Sequence, residues 1–280
     1  MTDNPSFSVL MSLYKKENPA FLRESLESIL KNTMLPSEIV LVEDGPLTEE
    51  LENVLKEYQG KTGLFRCVVH PQNQGLGIAL RDGVLACKNE IIARMDTDDI
   101  CHPQRFARQL QFLKENQNIA VVGSNVEEFS RDYQHPDQYV EYPKSDEAIV
   151  TFARRRNPMR HPSVMFRKSA VLTSGNYRHF LWFEDYDLYI RMLLAGFQMA
   201  NIQDVLLYCR ADNGLFERRG GIKYLCQDIR FQQFMLRNHF IGAGEFVFNC
   251  IVRALVRLLP NGLRRWFYRT FFRTRRERIP

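Results

Sequence analysis

Paired cysteines are missing from this sequence. Its six cysteines, Cys67, Cys87, Cys101, Cys209, Cys226 and Cys250, are scattered, and no two form a CxxC pair. That pattern argues against a zinc site or a disulfide framework and for a reducing compartment. No run of about 18 apolar residues occurs, so no segment has the length to span a bilayer as a helix. The first residues, MTDNPSFSVL, lack the basic and apolar regions of a signal peptide. Repeats and low-complexity tracts are also absent. What remains is an ordinary globular composition, 45% hydrophobic and 25% charged over 280 residues, enough to bury a sizeable core.

Charge is unevenly placed. The formal net charge is +5, yet residues 251–280 hold nine arginines and a single acid, Glu277, for a local +8. The preceding 250 residues therefore sum to −3. A near-neutral body carries a cationic tail, and two separate jobs are implied.

The first hundred residues alternate between apolar runs and amphipathic periods. Phe7–Leu13, Glu38–Val42, Leu64–Val69 and Glu90–Met95 read as strands. Between them, a helix opens at Asn18-Pro19 with Leu22, Leu26, Ile29 and Leu30 inward, and Glu49–Tyr58 and Gly75–Cys87 repeat the pattern. This alternation predicts an α/β fold with a mostly parallel, Rossmann-like sheet and right-handed crossovers. Further on, Arg105–Glu115 and Glu184–Ala195 read as helices, and Ile119–Gly123, Ser163–Phe166 and Val205–Cys209 as strands. Gly214–Gly221 reads as a loop. From Ile222 the pattern is helical, with a break at Pro260-Asn261-Gly262.

Each early strand runs into polar residues: Tyr14-Lys15, Asp44-Gly45, His70-Pro71-Gln72-Asn73, and Asp96-Thr97-Asp98-Asp99. In open α/β sheets ligands bind just beyond the carboxyl ends of the strands. The RMDTDDI stretch is the sharpest of these signals. Asp96 and Asp98 alternate on a strand leaving the sheet and can face one centre, where a hard divalent cation, Mn²⁺ or Mg²⁺, would relieve their repulsion. A solvated acidic turn is the competing reading. Calcium in an EF-hand is excluded because Ile100 occupies the third ligand position. Asp44 is either a turn residue or an acceptor for a base N–H or ribose hydroxyl, and Tyr14 either stacks on a base or is half-buried packing. Gly75-Leu76-Gly77 is a weak phosphate-loop signal, and His70 has no partner evident in the sequence. Glu184 and Asp185 head a helix, as capping groups or as a general base. Asp187 and Arg191, one turn apart, are expected to pair.

The ordered set FSVLMSLYKKENPAFLRESLESILKNT, EIVLVEDG, NQGLGIALRDG, RMDTDDICHPQRF, RHPSVMFRKSAVLTSGNYR and FEDYDLYIRMLLAG resembles the inverting family-two glycosyltransferases of bacterial surface polysaccharide synthesis, with their GT-A fold. The resemblance covers about residues 6–220. It implies that Tyr14 stacks on the uracil of a UDP-sugar, Asp44 hydrogen-bonds that base, and Asp96 and Asp98 form the metal-binding DxD motif. It further implies that Asp185 is the catalytic base and that Arg218 or Arg219 closes over the diphosphate. Arg81 falls at a donor-binding position where the family more often carries Asn. On this basis residues 1–100 form the nucleotide-sugar half, 101–221 the acceptor half, and 222–280 a basic amphipathic extension. The implied acceptor is a glycan or a polyprenyl-diphosphate-linked sugar.

In that extension Glu245, Asn249, Arg253 and Arg257 recur every four residues on an otherwise apolar helix, and Arg265, Arg269 and Arg273 continue the step among aromatics. Arginine interleaved with aromatic and aliphatic residues fits helices lying in an anionic membrane interface. The expectation is therefore a cytoplasmic protein, peripheral on the inner membrane through residues 245–280. A helical pair packed on the body, its arginines solvated, is the alternative, and the wide apolar faces suit nucleic acid poorly. Three other functions compete with sugar transfer. DTDDI nearly fits the nucleophile motif of haloacid-dehalogenase-like phosphatases, although it follows the fourth strand. A sugar-nucleotide pyrophosphorylase would need a glycine-rich loop after FSVLMSL. A non-catalytic nucleotide-binding membrane adaptor is the third.

Overall fold

The computed structural model describes residues 6–211 and 220–258; Arg218, Arg219 and the arginine-rich stretch beyond Leu258 lie outside them. Its first part follows the expected alternation: β1 (Phe7–Leu13), α1 (Pro19–Leu30), β2 (Glu38–Glu43), α2 (Glu49–Thr62), β3 (Phe65–Val69), α3 (Leu76–Ala86) and β4 (Ile91–Arg94). These four strands are mutually parallel, in the spatial order β3-β2-β1-β4. Their apolar runs are continuous because both faces are covered. Phe7, Val9, Met11 and Leu13 pack into the core on one side, while Leu10, Val40 and Val42 join the core on the other. Asn18 caps α1 through the Ala20 amide at 2.8 Å, with Pro19 in the first turn. Gly63, left-handed at φ 63°, ends α2.

The second part comprises β5 (Ile100–Cys101), α4 (Arg105–Glu115), β6 (Ile119–Phe129), β7 (Gln138–Val140), α5 (Asp146–Ala153), β8 (Met165–Arg167), α6 (Lys168–Thr173), α7 (Glu184–Leu194) and β9 (Gln198–Arg210). β8 inserts antiparallel between β4 and β6, β6 pairs parallel with β9, and β5 lies antiparallel at the far edge. Six of the nine described strands thus run one way. β6 and β9 are far longer than the five-residue strands their apolar runs suggest. Ser124 and Asn125 interrupt the apolar pattern of β6, yet both are buried at a register shift against β9. There the Asn125 side chain donates to the Gln203 carbonyl at 2.8 Å and accepts from the Tyr142 amide at 2.8 Å, replacing ladder bonds lost at the bulge.

Two further helices, α8 (Ile222–Arg237) and α9 (Ala243–Leu258), pack on this body. Phe231 and Met235 of α8 share an apolar cluster with Phe183, Tyr186 and Ile190 around α7. The polar stripe of α9 is its buried side, which corrects the picture of solvated or lipid-facing arginines at 253 and 257. Arg253 Nε and Arg257 Nη2 converge on the fully buried Asp228 of α8, at 3.1 and 3.2 Å. Asn249 donates to the Arg154 carbonyl and Glu245 pairs with Arg154. Outward instead face Val247, Phe248, Ile251 and Leu255, each 54–66% exposed. Removing Asp228 would leave two buried cations without their shared carboxylate. We therefore expect Asp228→Ala to cost about 3 to 5 kcal/mol, read as a lower urea midpoint together with faster proteolysis between residues 222 and 258.

Candidate active site

Where β4 leaves the sheet, the Met95 amide makes a last bond to Leu10 at 3.0 Å and the chain turns through Asp96-Thr97-Asp98-Asp99. One oxygen from each of Asp96, Asp98 and Asp99 lies within 4.8 Å of the others. Beneath them sits Arg94, 2% exposed, whose guanidinium pairs with Asp96 while its Nε and Nη1 find no hydrogen-bond partner among the described residues. From β9, the Arg210 amide donates to Asp99 at 2.9 Å and its Nε donates to the Asp98 carbonyl at 3.1 Å. Burial, reinforced by the Asp96 charge, pushes the Asp98 carboxyl up to about 6. Burial and the Asp98 charge hold Asp99 well above the usual carboxylate range. An all-oxygen donor set crowded against its own repulsion fits a hard divalent ion, with Asp96 and Asp98, the less buried pair, turned to the open side.

A cavity of about 830 Å³ opens over this turn, and its wall also carries Glu184 and Asp185 from the start of α7. Asp185 is held at both oxygens: Asn157 Nδ2 donates to one at 2.6 Å and the Tyr186 amide to the other at 2.8 Å. Burial raises the Asp185 carboxyl, and the Asn157 bond opposes that rise. Just upstream, Trp182 adopts φ 69°, a conformation a bulky side chain rarely takes, and its ring stacks on Tyr224 of α8 at 4.9 Å. Glu184 is buried, which pushes its carboxyl up to about 7. Gly77 explains how α3 gets so close: a Cβ there would lie 2.4 Å from the Arg178 carbonyl oxygen and 2.9 Å from Glu184 Cγ. The glycine of the weak phosphate-loop signal is thus required for packing. Asp187 pairs with Arg191 at 2.9 Å, as its spacing predicts, and also takes the Arg178 guanidinium.

Tyr14 and Asp44 sit at the carboxyl ends of β1 and β2, the same sheet edge as Asp96. Neither belongs to the cavity wall around Asp98 and Asp185. Asp44 is buried, and its carboxylate accepts from Gln74 N, Gly75 N and Asn73 Nδ2 at 2.8–2.9 Å. It also faces His70 Nδ1 at 3.1 Å, and the other ring nitrogen of His70 meets Asp82 at 3.1 Å. Asp44 therefore organises the Asn73–Gly75 loop, and His70, for which the sequence offered no partner, is its buried brace. Arg81 pairs with Asp82 at 2.8 Å. Asn157, Arg160 and His161 also reach the cavity. Arg160 and His161 open the RHPSVMF stretch that carries the family resemblance, whereas nothing in the sequence singles out Asn157.

A sheet of this topology, with an acidic turn at its parallel edge and a second pair of carboxylates lining the same cavity, is the architecture of a GT-A glycosyltransferase. The chain belongs to glycosyl transferase family 2, whose profile matches residues 8–173. It is 40% identical to an uncharacterized glycosyltransferase of Haemophilus influenzae, covering 95% of this chain and 99% of that one. It is 36% identical to the Escherichia coli UDP-Gal:alpha-D-GlcNAc-diphosphoundecaprenol beta-1,3-galactosyltransferase, covering 97% and 98% respectively. The fold matches that of S. aureus TarS 1-349 in complex with UDP-GlcNAc, with a TM-score of 0.64 and 15% identity over 92% of this chain and 69% of the other. The mannosyltransferase PcManGT from Pyrobaculum calidifontis, in complex with GDP-Man and Mn2+, aligns at 0.58 and 14% over 94% and 72%. Family membership sets aside the phosphatase, pyrophosphorylase and adaptor readings.

Glu184 gives this site a pH signature. The folded chain keeps its proton up to about 7, whereas the unfolded chain releases it near 4.5. The folded state holds more protons in that window, so metal-free stability falls as pH rises from about 4.5 to 7. Denaturant titrations across this range should show a shallower decline in Glu184→Gln.

Proposed function

We propose that this glycosyltransferase moves a sugar, with inversion, from a UDP-sugar to a hydroxyl of a lipid-linked acceptor in bacterial surface polysaccharide synthesis. The reading rests above all on one observation: Asp96, Asp98 and Asp185 line the same cavity. In this scheme Asp185, aimed by Asn157, takes the proton of the acceptor hydroxyl as the oxygen attacks the anomeric carbon from the face opposite the nucleotide. Burial raises its carboxyl, which makes it a better proton acceptor. Asp96 and Asp98 hold a divalent cation, Mn²⁺ or Mg²⁺, which when bound neutralises charge on the leaving diphosphate. Tyr14 stacks on the base at the β1 end, and the loop braced by Asp44 borders it. Arg81 and the arginines at 218 and 219 contribute positive charge on the donor side. Residues 1–100 form the donor half and 101–221 the acceptor half.

Supporting the acceptor class is the relative that is itself a diphosphoundecaprenol galactosyltransferase, 36% identical over nearly the whole chain. Among the described residues no helix is long and apolar enough to cross a membrane. Attachment at the inner membrane instead uses the exposed Val247, Phe248, Ile251 and Leu255 of α9, followed by the seven arginines of 264–278. Apolar insertion beside cationic charge suits an anionic lipid surface.

Asp185→Asn should lower kcat by about 100- to 10,000-fold while UDP binding, measured by calorimetry, stays within about twofold of wild type. Near-normal transfer would remove the base assignment. For the membrane, Phe248→Glu with Ile251→Glu should reduce co-sedimentation with phosphatidylglycerol vesicles by about tenfold or more; unchanged binding refutes the attachment.

A further inference from the structure

Besides the acids of the site, the cavity is lined by arginines that follow α5. α5 ends at Ala153 and is followed by Arg154-Arg155-Arg156-Asn157. This short stretch links two features. At its end, Asn157 holds Asp185 at 2.6 Å. Two residues earlier, the Arg155 guanidinium lies 5.9 Å from the ring centre of Phe248, on the exposed apolar face of α9, and the Arg155 carbonyl accepts from Arg253 at 2.8 Å. Arg155, Arg156, Phe248 and Val252 all line the cavity. Arg155 is exposed and makes no ion pair with a described carboxylate, so its charge is not committed to holding the fold together.

Guanidinium forks match phosphate oxygens in geometry and charge. Asp185 and the two arginines line one cavity, so a hydroxyl at Asp185 and a phosphate at Arg155 and Arg156 share it. Beyond the phosphate lies the apolar strip of Phe248 and Val252. We infer that Arg155 and Arg156 form the subsite for the acceptor's diphosphate. This rests on the lipid-linked-acceptor reading above and narrows it. The reaction that must supply such a substrate is transfer of a sugar 1-phosphate from a nucleotide sugar to a lipid monophosphate, with release of nucleoside monophosphate.

The test uses the full chain with two detergent-soluble acceptors carrying the same monosaccharide, one on an alkyl diphosphate and one on an uncharged alkyl glycoside. Wild type should favour the diphosphate acceptor, and Arg155→Ala with Arg156→Ala should raise KM for it by about 10- to 100-fold. In the same variant KM for the uncharged acceptor, kcat and UDP affinity should hold. Arg155→Lys with Arg156→Lys, which keeps charge but loses the fork, should fall between. Equal wild-type use of both acceptors overturns the subsite while sparing transfer to a lipid-linked sugar; transfer to neither overturns that broader reading. A variant that loses UDP affinity assigns the arginines to the donor, and one that loses only vesicle binding assigns them to lipid headgroups. Either result overturns the inference.

Discussion

The buried guanidinium of Arg94 is the constraint on which the site is built. Three carboxylates in four residues repel one another, and the apolar end of β4 offers them little water. Arg94 supplies the opposing charge from below, where the low effective dielectric makes a cation count for more than it would at a surface. Its field reaches further: burial, with the Arg94 charge added, keeps His161 well below its ordinary range, so the ring that meets Tyr177 at 2.9 Å is neutral. Arg210, from the other end of the sheet, finishes the job by fixing the backbone of the same turn.

Around that centre, elements distant in sequence hold each catalytic group by a second contact. Asp185 depends on Asn157, in the segment after α5, and its helix start follows a strained Trp182 clamped on Tyr224 of α8. Tyr224 in turn carries the Arg257 guanidinium at 4.4 Å on its ring, and Arg257 shares Asp228 with Arg253. A chain of contacts therefore runs from the last described helix to the candidate base. The C-terminal pair is part of the cavity's construction, although the family profile ends at residue 173.

Much of this was legible in the residues. Strands buried on both faces read as apolar runs, and helices with one buried stripe read as periods of 3.6, so β1 to β4 and α1 to α4 were evident. The acidic turn and the Glu-Asp helix start also declared themselves, because charge crowded beside apolar sequence has few structural uses. Other elements were too short to have a period: β5 spans two residues and β7 three. β6 and β9 were truncated in the reading because Asn125 and its neighbours look like loop until a bulge makes use of their side chains. The direction of α9 was inverted. A polar stripe on an apolar helix normally faces out, and only Asp228, on another helix, shows that this one faces in. The part Asp44 plays in holding the Asn73–Gly75 loop is likewise invisible in the sequence, where those amides lie some thirty residues away.

That reversal gives α9 two audiences. Its inner side closes the reaction chamber with Asn249, Arg253 and Arg257, while its outer side is greasy where a water-facing helix would be polar. One sixteen-residue helix thus supplies both a wall of the cavity and an exposed apolar strip. A substitution that unwinds it disturbs both at once.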